Sequence, residues 1–98
     1  MAVVTHVSIR GRVQGVGYRA WTADEARRRS LEGWVRNRRD GSVEAVFSGD
    51  EEVVADMLAA CRRGPSSARV DTVDANPASD DMLNLRPAGE HFSLRPTL

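Results

Sequence analysis

The chain has 98 residues, which predicts one domain spanning residues 1–98, because two independent hydrophobic cores need a longer sequence. Its 14 basic residues balance 14 acidic residues, which disfavours a domain that binds nucleic acid through bulk positive charge. The lone cysteine, Cys61, excludes a disulfide framework and a multi-thiolate metal site. The sequence has neither a membrane-length apolar stretch nor an evident signal peptide, so we expect a cytoplasmic protein with no membrane partner.

Arginine alone carries the positive charge of this chain. All 14 basic residues are arginine, which excludes Schiff-base chemistry on lysine and a lysine general base. Any positive charge in a functional site is therefore a guanidinium, which stays charged and can bind phosphate with two parallel hydrogen bonds.

The first third of the chain predicts a strand, a glycine-rich loop and a helix. Residues 2–10 are rich in β-branched residues with partial alternation, which favours a strand. Residues 11–17, GRVQGVG, contain three glycines and predict a loop. A helix follows from Tyr18 to about Ser30, although the capping-box spacing of Thr22 and Glu25 also allows a start at Thr22.

Residues 33–49 predict a β-hairpin. Asp40 and Gly41 stand between two strand-like runs, and Asp-Gly at such a place is one of the strongest short-range hairpin signals. The second run alternates as expected of a sheet with one covered face, with three apolar residues on that face: Val43, Ala45 and Phe47.

A second helix is bounded by clear start and stop signals. Asp50 is a good N-cap, and Gly64 followed by Pro65 ends the helix. Between them, one face carries an apolar stripe of Val53, Val54, Met57, Leu58 and Cys61.

The last third of the chain predicts two further strands. Residues 68–75 alternate as a fourth strand, residues 76–89 form a loop, and residues 91–95 form a short edge strand. The element order β-α-β-β-α-β with a short tail strand predicts an α+β protein. We expect the ferredoxin-like split βαβ sandwich, with an antiparallel sheet and two helices on one face.

The segment GRVQGVGYR, residues 11–19, is the strongest candidate for a functional site. Successive free N–H groups in a glycine-rich turn before a helix can bind an anion. Arg19 is expected in the first turn of the helix, where its positive charge is repelled by the positive end of the helix dipole. A bound anion would turn this unfavourable interaction into a favourable one. The segment lacks the Gly-Lys pair of a P-loop, and the chain has no room for a repeated βαβ dinucleotide fold. A tight turn with a surface arginine remains the alternative on this segment alone.

Two long motifs resemble those of the acylphosphatase family. GRVQGVGYR is similar to the first family signature, and GWVRNRRDGSVEAVFSG, residues 33–49, is similar to the second. PSSARVD at residues 65–71 and the ending FSLRPT also resemble family members, so the likeness covers nearly the whole chain. The resemblance implies the ferredoxin-like fold and a metal-independent hydrolase of acyl phosphates without a cofactor.

The resemblance also implies roles for individual residues. The arginine that ends the first signature, Arg19, is the catalytic and phosphate-binding residue of the family, and Asn37 in the second signature holds the attacking water. Gly17 stands where many animal members have a cysteine that is not catalytic, so activity is still expected. The loop before the helix is expected to bind the substrate's phosphate through N–H groups of Arg12, Val13, Gln14, Gly15, Val16, Gly17 and Tyr18. We expect a monomer whose product, inorganic phosphate, competes with the substrate.

Other interpretations of the sequence carry less weight. His6 and His91 are weak candidates for a general base or metal ligand, because no carboxylate lies at ligand spacing. Cys61 continues an apolar stripe and is expected in the core. The remaining candidates are expected to pack or to be solvated: Trp21, Trp34, Asp80, Asp81 and the arginine runs 27–29 and 36–39.

Two rival functions remain open. The first is a non-catalytic module for RNA or a small ligand on the same fold, although the aromatic strand motif of RNA-binding modules is absent. The second is the acylphosphatase-like domain of a larger carbamoyl-transferring maturation protein, against which a chain end at Leu98 argues.

Overall fold

A computed structural model describes residues 1–98, which form one five-stranded sheet and three helices. In chain order these elements are β1 (Ala2–Arg12), α1 (Tyr18–Arg28), β2 (Glu32–Asn37), β3 (Val43–Asp50), α2 (Glu51–Arg63), β4 (Arg69–Pro77), α3 (Asp80–Leu83) and β5 (Phe92–Leu94). The strand order is β4-β1-β3-β2-β5. The four longer strands pair antiparallel, as predicted, and β5 adds a parallel partner to β2 at one edge, so the sheet is mixed.

The main hydrophobic core lies between the sheet and the two long helices. The sheet contributes the face that alternation predicts, and α2 contributes much of its predicted stripe. The central buried residues are Val7, Ile9, Val43, Ala45 and Phe47 from the sheet, Ala23 and Ala26 from α1, and Val54, Met57 and Cys61 from α2. The predicted fold class, including Cys61 as a core residue, is confirmed.

The opposite face of the sheet is partly covered as well. Trp34 and Val46 pair across β2 and β3 on this face, and both are fully buried. The Trp34 indole Nε1 donates a hydrogen bond of 2.7 Å to the carbonyl of Met82 in α3. The prediction of a loop over residues 76–89 was therefore wrong at α3. The prediction that only one face of the sheet is covered was also wrong, because Trp34 and Val46 are buried on the other face.

The ends of the two long helices differ in how they are capped. Helix α1 begins at Tyr18, and Thr22 donates a hydrogen bond to the Tyr18 carbonyl, so the alternative start at Thr22 is not used. Helix α2 has the predicted cap, because the Asp50 carboxylate accepts a hydrogen bond of 3.0 Å from the N–H of Glu52. Gly64 ends α2 with a φ of 64°, as predicted for a glycine C-cap.

The turn between β2 and β3 forms where Asp40 and Gly41 predict it. The Asp40 carboxylate accepts hydrogen bonds from the N–H and the hydroxyl of Ser42, at 2.9 and 2.6 Å. These bonds hold the pKa of the Asp40 carboxyl below its usual value. The turn fixes the chain immediately after Asn37.

None of the helices is long and apolar enough to span a membrane.

Candidate active site

The glycine-rich segment between β1 and α1 is a loop with left-handed backbone at two glycines. Gly15 has a φ of 73° and Gly17 a φ of 83°, a region that residues with a side chain rarely adopt. A Cβ at either position would meet no atom within 4 Å. The backbone conformation, rather than lack of space, therefore explains the glycines.

This loop presents a run of free backbone donors. From Gln14 to Ala20, no backbone N–H donates to a protein acceptor, and the first bonded N–H is that of Trp21, at 3.0 Å from the Gly17 carbonyl. The Gly17 cap contributes no side chain, and the first turn of α1 has no acidic residue. The positive end of the α1 dipole is therefore uncompensated by the protein, which suits an anion.

Arg19 and Asn37 line the same small cavity, although they come from different elements. The cavity has a volume of about 150 Å³ and is lined by Val13, Gly15, Gly17, Tyr18, Arg19, Ala20 and Asn37. Arg19 is half-buried as a whole residue, and its guanidinium forms no ion pair with the protein. The buried Oδ1 of Asn37 has no hydrogen-bond partner. A positive group and an unpartnered amide thus face one space.

Neighbouring elements hold the walls of this cavity. The Tyr18 hydroxyl donates a hydrogen bond of 2.8 Å to the carbonyl of Cys61, and Ser67 donates one of 2.8 Å to the carbonyl of Val16. Burial raises the pKa of Tyr18 above its usual range and that of Cys61 to about 11, so both stay protonated near neutral pH. The carbonyl of Asn37 accepts a hydrogen bond from the N–H of Leu98. Tyr18 and Cys61 are thus supports for the cavity rather than acids or bases.

The predicted loop residues divide into two groups in the structure. Val13, Gly15, Gly17 and Tyr18 line the cavity together with Arg19 and Asn37. Arg12, Gln14 and Val16 do not line it: Arg12 is an exposed strand residue, and the Gln14 side chain is bonded to the β2–β3 turn. Ala20 also lines the cavity, although the sequence pattern did not predict it. The start of α1 at Tyr18 would have indicated it, because Ala20 then carries one of the unpaired N–H groups.

His6 has a carboxylate partner that sequence spacing did not reveal. Its Nε2 lies 2.7 Å from the carboxylate of Glu44 on the neighbouring strand β3, outside the cavity. Burial raises the pKa of Glu44, but hydrogen bonds with His6 and Arg36 outweigh burial and leave that pKa below its usual value. The structure contains no group of three or more His, Cys, Asp or Glu side chains that could hold a metal ion.

Known proteins of similar sequence and similar fold show the family of this chain. Residues 5–84 match the family model described as acylphosphatase. The chain is 60% identical to an acylphosphatase of Rhodopseudomonas palustris over 98% of its own length and 97% of the relative. Its fold is similar to an acylphosphatase from Coxiella burnetii, with a TM-score of 0.83, 28% identity, and coverage of 96% of this chain and 93% of that one. An acylphosphatase from Bacillus subtilis gives a TM-score of 0.81 at 32% identity, with coverage of 97% and 99%. The chain therefore belongs to the acylphosphatase family, and it is an enzyme that hydrolyses acyl phosphates.

Proposed function

We propose that the cavity binds the phosphoryl group of the acyl phosphate between Arg19 and the loop N–H groups, while Asn37 orients the attacking water. The observation that carries this proposal is the shared cavity of about 150 Å³, lined by both side chains. Water attacks phosphorus, the bond from phosphorus to the acyl oxygen breaks, and the products are a carboxylate and inorganic phosphate.

Arg19 is suited to stabilise the charge of the phosphoryl group. Its guanidinium has no carboxylate partner, so its N–H donors are free to bind two phosphate oxygens. The phosphoryl transition state spreads negative charge over these oxygens. A fixed guanidinium and fixed N–H groups therefore provide the main stabilisation, without reorganising during the reaction.

Asn37 is suited to position water rather than to remove its proton. A carboxamide does not take up a proton near neutral pH, so Asn37 is not a general base. Its buried Oδ1 has no partner within the protein and can accept a hydrogen bond from a water molecule. Because Asn37 ends β2 and lines the same cavity as Arg19, we propose that it directs this water in line with the leaving group.

The leaving group makes a general acid unnecessary. The conjugate acid of a carboxylate has a pKa of about 4, so the carboxylate leaves without protonation. No carboxylate or histidine lines the cavity. The Tyr18 hydroxyl donates its proton to a hydrogen bond with the Cys61 carbonyl, and the pKa of Tyr18 is raised, so this hydroxyl does not act as a general acid. We propose that the proton of the attacking water passes to an oxygen of the phosphoryl group itself.

Hydrolysis of benzoyl phosphate tests the proposal and its independence from metal. We expect phosphate release that is unchanged by EDTA, because arginine and backbone amides carry the positive charge in this site. Release of phosphate with a colorimetric assay, with and without chelator, measures this directly. Loss of turnover in EDTA and its return with Mg²⁺ would contradict the proposed mechanism.

Inorganic phosphate should compete with the substrate, because the loop recognises the phosphoryl group rather than the acyl group. Arg19→Ala should weaken phosphate inhibition by roughly 10- to 100-fold, the range expected for a lost charge-assisted interaction. Arg39→Ala is the matched control, because Arg39 is an exposed arginine near Asn37 that does not line the cavity. Inhibition constants from steady-state kinetics check this. Equal weakening in both variants would indicate diffuse charge attraction instead of a formed site.

We also propose that residues 1–98 act as one domain and as a cytoplasmic monomer. Arg19 and Asn37, the two side chains proposed to act on the substrate, line one cavity within a single copy of the chain. We expect size-exclusion chromatography with light scattering to show a single species with the mass of a monomer, in buffer that contains substrate.

A further inference from the structure

The side chain of Gln14 joins the glycine-rich loop to the β2–β3 turn. Its Nε2 donates two hydrogen bonds of 2.7 Å, one to the carbonyl of Arg38 and one to the carbonyl of Ser42. The same carbonyls also accept bonds inside the turn, from the N–H groups of Gly41 and Arg38. One amide group thus reaches both sides of the turn that follows Asn37.

The sheet links the end of β1 to Asn37 only indirectly, through the intervening strand β3. The loop leaves the end of β1, Asn37 ends β2, and β3 lies between these two strands. Consequently no ladder of hydrogen bonds joins β1 directly to β2. The Gln14 side chain spans this gap by contacting Arg38, the residue after Asn37, and Ser42, the residue before β3.

The other side-chain tether of the loop runs elsewhere. Ser67, in the connection between α2 and β4, donates a hydrogen bond to the carbonyl of Val16. This contact supports the loop from α2 and β4 and does not touch the turn after Asn37. Of the two tethers, only Gln14 couples the phosphate-binding half of the cavity to the water-binding half.

We infer that Gln14 is a positioning residue, which sets the distance between the phosphate held by the loop and the water held by Asn37. This inference rests on the roles proposed above for the loop and for Asn37. In-line attack depends strongly on this distance, since a displacement of about 1 Å can cost on the order of 100-fold in rate. Glutamine suits the role because a single NH₂ group donates two hydrogen bonds, whereas a carboxylate has no proton to donate.

The test removes the two donors while keeping the length of the side chain. Gln14→Met and Gln14→Glu both lack the donors, and Asn84→Ala, at an exposed position outside the cavity, is the control. Both Gln14 variants should lower kcat roughly 10- to 100-fold, because the water is displaced from its line of attack. In Gln14→Met, which adds no charge, phosphate inhibition should stay within about twofold of wild type, because the loop N–H groups and Arg19 remain. Asn84→Ala should keep a kcat close to wild type.

A double-mutant cycle with Asn37→Ala separates positioning from general support of the fold. If Gln14 acts through Asn37, Gln14→Met should cost less than about twofold in kcat when Asn37 is already alanine. The inference would be overturned by an equal loss in both backgrounds, by a parallel loss of phosphate binding, or by an unchanged kcat in Gln14→Met. Should Gln14→Met fail to fold, Gln14→Glu completes the same cycle.

The cycle also distinguishes this inference from the proposed function. Asn37→Ala with wild-type kcat would remove the water role, and the inference about Gln14 with it. An impaired Asn37→Ala protein that shows no coupling to Gln14 would overturn only the inference about Gln14. Slow exchange of the Gln14 side-chain NH₂ protons in NMR spectra of the wild-type protein is expected from its two hydrogen bonds, and fast exchange would contradict the tether.

Discussion

Replacing Arg19 with alanine should lower kcat/KM for benzoyl phosphate by roughly 1000-fold or more. The guanidinium is proposed to hold the phosphoryl group in both the ground state and the transition state, so KM should rise while kcat falls. Arg19 forms no ion pair with the protein, so its removal leaves no buried carboxylate unpaired. Steady-state kinetics, with a thermal melt to check folding, measure this effect.

The conservative replacement Arg19→Lys should also be a poor enzyme. An ammonium is a compact point charge and cannot reproduce two parallel hydrogen bonds to a phosphate. Arg39→Ala, an exposed arginine outside the cavity, should stay within about threefold of wild type, as expected for an exposed charge. A folded Arg19→Ala protein that retains a tenth of wild-type kcat/KM would contradict the proposed role.

Replacing Asn37 with alanine should lower kcat by about 100- to 1000-fold, the usual cost of one well-placed polar group in an active site. Because Asn37 is proposed to bind water rather than phosphate, the inhibition constant of inorganic phosphate should change little. A loss in kcat with retained ground-state binding is the pattern of an interaction used mainly in the transition state. Steady-state kinetics with phosphate as inhibitor measure both quantities.

Asn84→Ala is the matched control for this substitution. Asn84 is an exposed asparagine at the end of α3, outside the cavity, and its replacement should leave kcat unchanged. Asn37→Ala should keep its circular dichroism spectrum, because the Oδ1 of Asn37 has no partner within the protein. A folded Asn37→Ala protein with wild-type kcat would refute the positioning of water.

Local signals predicted most of the helices and strands correctly. Asp40 and Gly41 predicted the hairpin, because the turn type requires such residues and the flanking strands need no distant partner to be recognised. Asp50 and Gly64 predicted both ends of α2, since a capping residue and a left-handed glycine act within a few residues of themselves. In both cases the physical cause is local in sequence.

The elements that the sequence did not predict depend on contacts between distant residues. The four-residue helix α3 is too short for a periodic pattern, and it forms against Trp34 on the second face of the sheet. Strand β5 runs parallel to β2 because the chain passes from β4 at one edge of the sheet to β5 at the other edge. The three residues of β5 do not encode this direction. His6 and Glu44 meet because β1 pairs with β3, a register that spacing along the chain does not contain.

Only part of the candidate site could be predicted from the physical chemistry of the sequence. Arg19 could be singled out on physical grounds, because an arginine in the first turn of a helix is unfavourable unless an anion lies nearby. Asn37 came from the family resemblance alone, since nothing local distinguishes it from other turn asparagines. The hydrogen bonds from Gln14 to the turn could not be predicted, because Gln14 lies 24 and 28 residues away in sequence from its partners Arg38 and Ser42.

The central claim is that the cavity directs water to phosphorus, and hydrolysis in ¹⁸O-labelled water tests it most directly. A phosphoryl group held by Arg19 and the loop, with water oriented by Asn37, predicts that the label enters inorganic phosphate and that benzoate stays unlabelled. Mass spectrometry of both products after a single turnover measures this. Label in benzoate would mean that water attacks the carbonyl carbon, which would contradict the proposed roles of Arg19, Asn37 and the loop together.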